Sequence, residues 1–245
     1  MGNLEDNLEL NPYDAFVQAN KGVPPTADQI RLYSKLFQSH CYYRPDIDNV
    51  SPKDMAKPFV PSPFYDWARG FMTRGAIEMF VACQDVESGD YGILTVVRKN
   101  SPMINQRWVL GGELKKGLSR DGAVIDLTKK ECGLDINQGD IIEIGGSNVR
   151  FGIKPQENIY GEAYFPDGTR LDPIKFVTPG VHDFARTFYV SGTGSIKLRG
   201  DLEKDPLIVT PEIWANRRRE LGLDYYMEGL MDISQILLKD DFYSE

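Results

Sequence analysis

"QRWVLGGELKKGLSRDGAVIDLTKKECGLDI", residues 106–136, runs from a short apolar strand through the pair Gly111-Gly112 into a basic loop and a helix closed by Gly133. Adjacent glycines let a backbone turn tightly and approach a neighbour, which is how a strand hands over to a phosphate-handling helix. The helix carries its own end signals. Ser119 is placed to cap its N-terminus, Asp121 to meet the positive end of the dipole, and Lys129 and Lys130 the negative end. Gly133 suits the left-handed position just past the last turn. Gly122 weakens the first turn by up to about 1 kcal/mol, so packing must hold this helix in place. Glu131 is the misfit, because a carboxylate in a final turn faces the negative end of the dipole and requires a cation beside it.

Working outward, "GAIEMFVACQD" and "YGILTVVRK" are apolar, β-branched runs joined by "VESGD", a hairpin signal. "RWVL" is a third short strand. "DIIEIG", "NIYGEAYF" and "FARTFYVSG" read as later strands, and "TPEIWANRRRELG" and "DISQILLKDDF" as closing helices. Toward the N-terminus, residues 1 to about 25 are polar and acidic, with "NPYDAF" and "KGVPP" as turn punctuation. "TADQIRLYSKLFQSH" sets Ile30, Tyr33, Leu36 and Phe37 at helical spacing behind a Thr26 cap. "YYRPDIDNVSPKDMAKPFVPSPF" reads as an extended connector, and "YDWARGFM" as a short helix leading into the first strand. The order β-β-β-α-β-β-β-α predicts an α/β fold, a mixed sheet with helices packed on it. Residues 1–64 form an N-terminal helical extension and 65–245 the α/β domain.

The chain has 245 residues, enough for one large domain, and carries 28 Lys and Arg against 36 Asp and Glu, a net charge of −8. Such a balance speaks against nucleic acid or an anionic membrane as a broad-surface partner, while leaving room for a phosphorylated ligand in a local basic pocket. Cys41, Cys83 and Cys132 are scattered, with no metal-binding spacing, and read as small apolar residues in a reducing compartment. The opening "MGNLEDNLEL" has no basic segment followed by an apolar run, so a soluble cytoplasmic protein is expected.

The glycine pair and helix resemble the Nudix box, G-x5-E-x7-R-E-U-x-E-E-x-G-U with U a bulky apolar residue. With Gly112 as the first glycine, Thr128, Glu131, Gly133 and Leu134 fall on matching positions. Leu118, Asp126, Leu127 and Lys130 stand where the pattern has Glu, Arg, Glu and Glu. The lead-in is similar to that of the GDP-mannose mannosyl hydrolase branch, which spaces an Arg, an Asn-x-Pro, an aromatic and Gly-Gly as Arg98, Asn100, Pro102, Trp108 and Gly111-Gly112 do here. That branch also lacks Glu at the position of Leu127. The resemblance covers roughly residues 65 to 195 and implies a Nudix-type α/β/α sandwich.

It also implies a metal site. In the family, the positions of Leu127 and Glu131 lie four apart on one helical face and present carboxylates to a divalent cation. With Leu127 apolar, Glu131 and the Gly112 carbonyl remain as ligands for one Mg²⁺ or Mn²⁺. Arg98, through its planar fork, is the candidate diphosphate contact, with Arg107 and the loop lysines Lys115 and Lys116 adding positive potential. Each has an ordinary alternative: a strand-to-loop turn for the glycines, a solvated helix end for Glu131, surface ion pairs for the arginines.

Asp126 and Lys130 exchange the signs of the family's Arg and Glu, and so keep a four-apart attraction. His182 is a base candidate by chemistry, though its family counterpart merely opens a strand. The branch's own base, a histidine in a late loop, has no counterpart after residue 200. Trp108 reads as core, and Arg217-Arg218-Arg219 as a solvated helix face.

The expected activity is metal-assisted hydrolysis of a nucleoside diphosphate derivative such as a nucleotide sugar, by a homodimer. Two alternatives stand beside it: a Nudix-like module that binds such a ligand, or serves as a scaffold, without turnover; and the same fold recruited to non-hydrolytic biosynthetic chemistry.

Overall fold

The computed structural model describes residues 12–37, 74–99, 105–114, 118–151, 157–159, 163–164, 170–171, 175–177, 181–199 and 203–243. The Pro-rich connector, the "YDWARGFM" segment, His40 and Cys41 lie outside the described residues.

Two helices open the fold, α1 (Pro12–Ala19) and α2 (Ala27–Phe37). The first corrects the turn reading of "NPYDAF". Proline has a fixed φ and no N–H to lose, so it is as suited to a helix's first position as to a turn, and here Pro12 opens a helix packed on the C-terminal one. Thr26 begins α2 with a reciprocal cap: its Oγ1 accepts from the Gln29 N–H at 3.2 Å, and Gln29 Oε1 accepts from the Thr26 N–H at 2.9 Å. Ile30 is buried, while the side chains of Tyr33, Leu36 and Phe37 lie outside the described ones.

The sheet is built from β1 (Arg74–Gln84), β2 (Tyr91–Arg98), β3 (Arg107–Trp108), β4 (Leu110–Glu113), β5 (Asp135–Ile136), β6 (Ile142–Phe151), β11 (Val181–Thr193) and β12 (Glu203–Val209). Between β6 and β11 lie four short strands: β7 (Glu157–Ile159), β8 (Ala163–Tyr164), β9 (Arg170–Leu171) and β10 (Lys175–Val177), paired as β10 with β7 and β8 with β9. The expected single strand over "NIYGEAYF" is therefore two.

The main path across the sheet is β12-β2-β1-β11-β5, with β3 on β2, β4 on β1 and β6 on β11. β1 runs parallel to β11, and the remaining pairs are antiparallel. The sheet is mixed, as the sequence order predicted. β12 was not anticipated. Pro206 masks it, since proline gives up a ladder donor and is tolerated at edges or bulges; the register with β2 shifts between Lys204 and Leu207, and Asp205 takes a φ of 48° there.

Helix α3 (Arg120–Cys132) covers one face, and α4 (Pro211–Arg217) and α5 (Tyr225–Phe242) cover the other. The alternation along β1 divides its side chains. Ile77, Met79, Val81 and Cys83 join Val124 and Leu127 of α3 in one core, while Phe80 and Ala82 join Leu230, Ile233 and Leu237 of α5, with Ile30 of α2, in the other. This is a three-layer α/β/α sandwich carrying N-terminal helices. Polar contacts also tie α2 to the rest of the fold: Arg31 reaches Asp240 at 2.6 Å and Asp241 at 2.5 Å, and Ser34 Oγ accepts from the Glu143 N–H at 2.8 Å.

Arg218 corrects the solvated-face reading of the arginine run. It pairs with Glu228 and Asp232, each at 3.0 Å, and lies 4.8 Å over the Trp214 ring. Cys83 and Cys132 are buried free thiols, and burial pushes Cys83 up to about 12. No helix among the described residues is long and apolar enough to cross a membrane.

Candidate functional site

The two glycines of the bend serve opposite faces of the sheet. On β4, Gly112 stands opposite Ile77 and Gly111 opposite Glu78. A Cβ on Gly112 would come within 2.8 Å of Leu127 Cδ2, so the α3 helix packs on the bare backbone. A Cβ on Gly111 would meet the Ile77 carbonyl oxygen at 2.7 Å, which excludes any side chain without backbone movement.

The helix is held as its end signals require. Ser119 Oγ accepts from the Gly122 N–H at 3.1 Å, and Gly133, at φ 77°, donates to the Lys129 carbonyl at 3.0 Å. Ala123, Val124, Leu127 and Thr128 are buried, so packing compensates the weak first turn.

Glu131 is buried, one turn beyond Leu127 on the same helical face. Its required cation is Arg199, whose Nη1 lies 3.5 Å from Oε1, with Lys130 Nζ 3.7 Å from the same atom. The segment after β11 that brings Arg199 is fixed to the helix end by backbone bonds. Arg199 N–H donates to the Glu131 carbonyl at 3.1 Å and Lys197 N–H to the Cys132 carbonyl at 2.7 Å. These carbonyls are orphans of the last turn, satisfied from outside the helix.

Two cations thus lie against one oxygen of this carboxylate, and its neighbour on the glycine side is a leucine. Among the described residues no group of three or more His, Cys, Asp or Glu could hold a metal ion. The described residues do not fit a multi-ion centre.

The remaining candidates are dispersed. Arg98 ends β2, half-buried, and its backbone closes the loop to β3 by donating to the Gln106 carbonyl at 3.0 Å. Arg107 Nη1 donates to the Asp205 carbonyl at 3.0 Å and to Thr95 Oγ1 at 3.3 Å, which stitches the bulge of β12 to β2 and β3. Burial holds its guanidinium below the ordinary arginine range. His182 pairs in register with Arg150 at the start of β11, and its side chain lies outside the described ones, as do Lys115, Lys116, Asn100 and Pro102.

The opposite face carries a group the sequence reading missed. Glu78 interrupts the apolar run of β1, and its Oε1 accepts from the Trp108 indole N–H at 3.1 Å. Trp108 itself is buried, the core residue the sequence indicated. Burial pushes the Glu78 carboxyl up to about 7, opposed by the Trp108 hydrogen bond, by Arg98 and by a hydrogen bond with Thr187. The Thr187 side chain, buried and in register with Glu78 across β1 and β11, is the carboxyl's other hydrogen-bonding neighbour. A glutamate at an inward position of a strand was the available signal.

No family model matches the chain, and no curated protein matches it. Solved structures that resemble it include a MutT/nudix family protein from Enterococcus faecalis, 17% identical with a TM-score of 0.38, covering 64% of this chain and 53% of that one. Another is the NUDIX domain of Shewanella oneidensis NrtR complexed with ADP ribose, 10% identical, TM-score 0.39, covering 72% and 90%. A third is a possible asymmetric diadenosine tetraphosphate hydrolase from Jonesia denitrificans, 12% identical, TM-score 0.40, covering 68% and 98%. The chain spans about half the length of the first of these, 53%. Likenesses at this level carry no argument about activity.

Proposed function

We propose that this chain is a Nudix-like module that binds a nucleoside diphosphate derivative, such as a nucleotide sugar, without turning it over. The observation that carries this reading is the apolar contact of Leu127 on Gly112, beside a Glu131 already neutralised by Arg199 and Lys130. A hydrolytic ion needs carboxylates at that point; an apolar side chain in place of one, and two cations competing for the other, disfavour holding it. The bend, the cap and the helix remain, and with them Arg98 as the candidate diphosphate contact.

Metal-assisted hydrolysis is the second reading, favoured by one observation: Glu131 is buried on the helical face that meets the bend and does not point into bulk water. A single Mg²⁺ or Mn²⁺ at Glu131 and the Gly112 carbonyl requires the carboxylate to exchange Arg199 for the ion. Recruitment of a cysteine to other chemistry is disfavoured for Cys83, whose thiol is buried and far from ionising at neutral pH. A homodimer in the cytoplasm completes the proposal.

The test is to incubate the protein with a panel of nucleotide sugars and dinucleotides, with Mg²⁺, with Mn²⁺ and with chelator. Products are followed by chromatography and melting temperature in parallel. Saturable stabilisation with no product supports the binding module. Metal-dependent turnover that disappears in Glu131→Gln supports the hydrolase and overturns it.

A further inference from the structure

Where α2 meets the end of α5 lies an open cavity of about 490 Å³. Small-molecule sites occupy about 300–1,000 Å³, so it is large enough to take a ligand. Arg31 and Ser34 of α2 form one wall and Asp241 of α5 another. The short 3-10 turn Gln138–Asp140 contributes Asp140, and β11 contributes Ser191. Ile141, Ile142 and Phe242 give the cavity an apolar side. Ser191 stands two residues from Tyr189, whose ring belongs to the α5 core, so both face the α5 layer. The cavity therefore lies across the sheet from α3, and is independent of the function proposed for the bend.

The fold holds the polar lining in place. Arg31 is gripped by Asp240 and Asp241. The second oxygen of Asp241 accepts from the buried Tyr189 hydroxyl at 2.8 Å, and Ser191 hydrogen-bonds the same tyrosine. Asp140 Oδ2 accepts from Asn137 Nδ2 at 3.2 Å. These bonds orient the groups without exhausting them, since a guanidinium carries five N–H donors and a carboxylate about four acceptor positions.

Donors and acceptors thus stand together against an apolar side. Arg31 offsets the carboxylates, so a ligand of either charge meets repulsion as well as attraction. A neutral hydroxyl suits both signs, because it donates to a carboxylate while accepting from a guanidinium or a serine. Adjacent hydroxyls on a saturated ring satisfy several such groups at once, and the ring's C–H face suits the apolar side.

We infer that this cavity binds a neutral polyhydroxylated ring, a pyranose sugar. Its neighbouring hydroxyls are shared among Arg31, Asp241 and Asp140, and its C–H face rests on Ile141 and Phe242. Such a ligand bridges α2, the 3-10 turn and α5, so binding clamps α2 in place.

The probes are the methyl α-pyranosides of D-glucose, D-mannose and D-galactose, added to the full chain labelled with ¹⁵N. Tetrahydropyran-2-methanol, a similar ring without adjacent hydroxyls, and cyclohexylamine, a cation, are the controls. The readouts are the amide resonances of Gly139, Ile141 and Ile142, and the rate of limited proteolysis within 27–37. The proposal expects a saturable shift with at least one pyranoside and with neither control, and slower cleavage once that sugar saturates. Affinity falls about tenfold in Asp140→Ala, the loss of one charge-assisted hydrogen bond, and several-fold in Ser191→Ala. Asp140 is exposed, so its variant keeps the fold. The sugar nucleotide of the pyranoside that binds, run beside it, separates two sources: tighter binding of the nucleotide assigns a conjugate, and equal or weaker binding a free sugar. No saturable shift with any pyranoside, an equal shift with either control, unslowed cleavage at saturation, or affinity unchanged in both variants overturns the inference.

Discussion

Leu127 Cδ2 lies 2.8 Å from the point where a Cβ on Gly112 would stand, so helix and bend are in apolar contact. Gly112→Ala must push that leucine aside. Overpacking of this kind costs about 1–3 kcal/mol, and because the obstacle is a side-chain end, Leu127→Ala should relieve part of the cost. A double-mutant cycle by chemical denaturation measures this, with the double variant expected to be less destabilised than the sum of the single ones.

Arg199 is the partner that lets Glu131 be buried. Arg199→Ala leaves the carboxylate with Lys130 alone, and removing one member of a buried pair costs up to about 3–5 kcal/mol. The half-exposed guanidinium puts the expected loss nearer about 2 kcal/mol. Adding Glu131→Gln should recover much of it, since no unpaired charge then remains. Denaturant midpoints of the three variants test both statements.

Glu78 gives the fold a pH dependence of defined sign. Its folded carboxyl titrates near 7, above its ordinary value of 4.5. Between these values the folded state binds the proton that the unfolded state has released, so this group's contribution to stability falls as pH rises from about 4.5 to 7 and is flat above. The size is on the order of 3 kcal/mol. Glu78→Gln should flatten that stretch of the profile and exceed the parent in stability at pH 8; a parallel offset at all pH values would refute the assignment.

The N-terminal helices are held to the C-terminal one by Arg31, on Asp240 and Asp241, and by the Tyr225 hydroxyl on Asp14. These contacts are partly exposed, so Arg31→Ala should cost only about 1 kcal/mol globally. Its local effect should be larger, because α2 loses its ionic tie. Limited proteolysis is expected to cut within 27–37 sooner in the variant than in the parent.

What could be read from the sequence was local. The caps at Thr26, Ser119 and Gly133 follow from bonds within a few residues, and all three form. The dipole argument showed that Glu131 needs a cation, but Arg199 lies 68 residues away and only tertiary structure selects it. Pro12 misled because proline fits a helix start as well as a turn, and packing decides; β12, with Pro206 at its bulge, was not read as a strand at all. Arg218 looked like one of three equivalent surface charges until α5 brought Glu228 and Asp232 beside it. At the bend, Leu127 was visibly not a carboxylate; that it closes directly on Gly112 was not visible.

The central claim is that Glu131 is committed to Arg199 and that the bend holds no divalent cation. Electron paramagnetic resonance of Mn²⁺ titrated into the unaltered chain, alone and with ADP, tests this directly. The account predicts that the free-ion signal matches that of the same titration without protein, with and without ADP, and is the same for the parent and for Glu131→Gln. Saturable loss of that signal in the parent, abolished in Glu131→Gln, would contradict it and restore the metal-dependent reading.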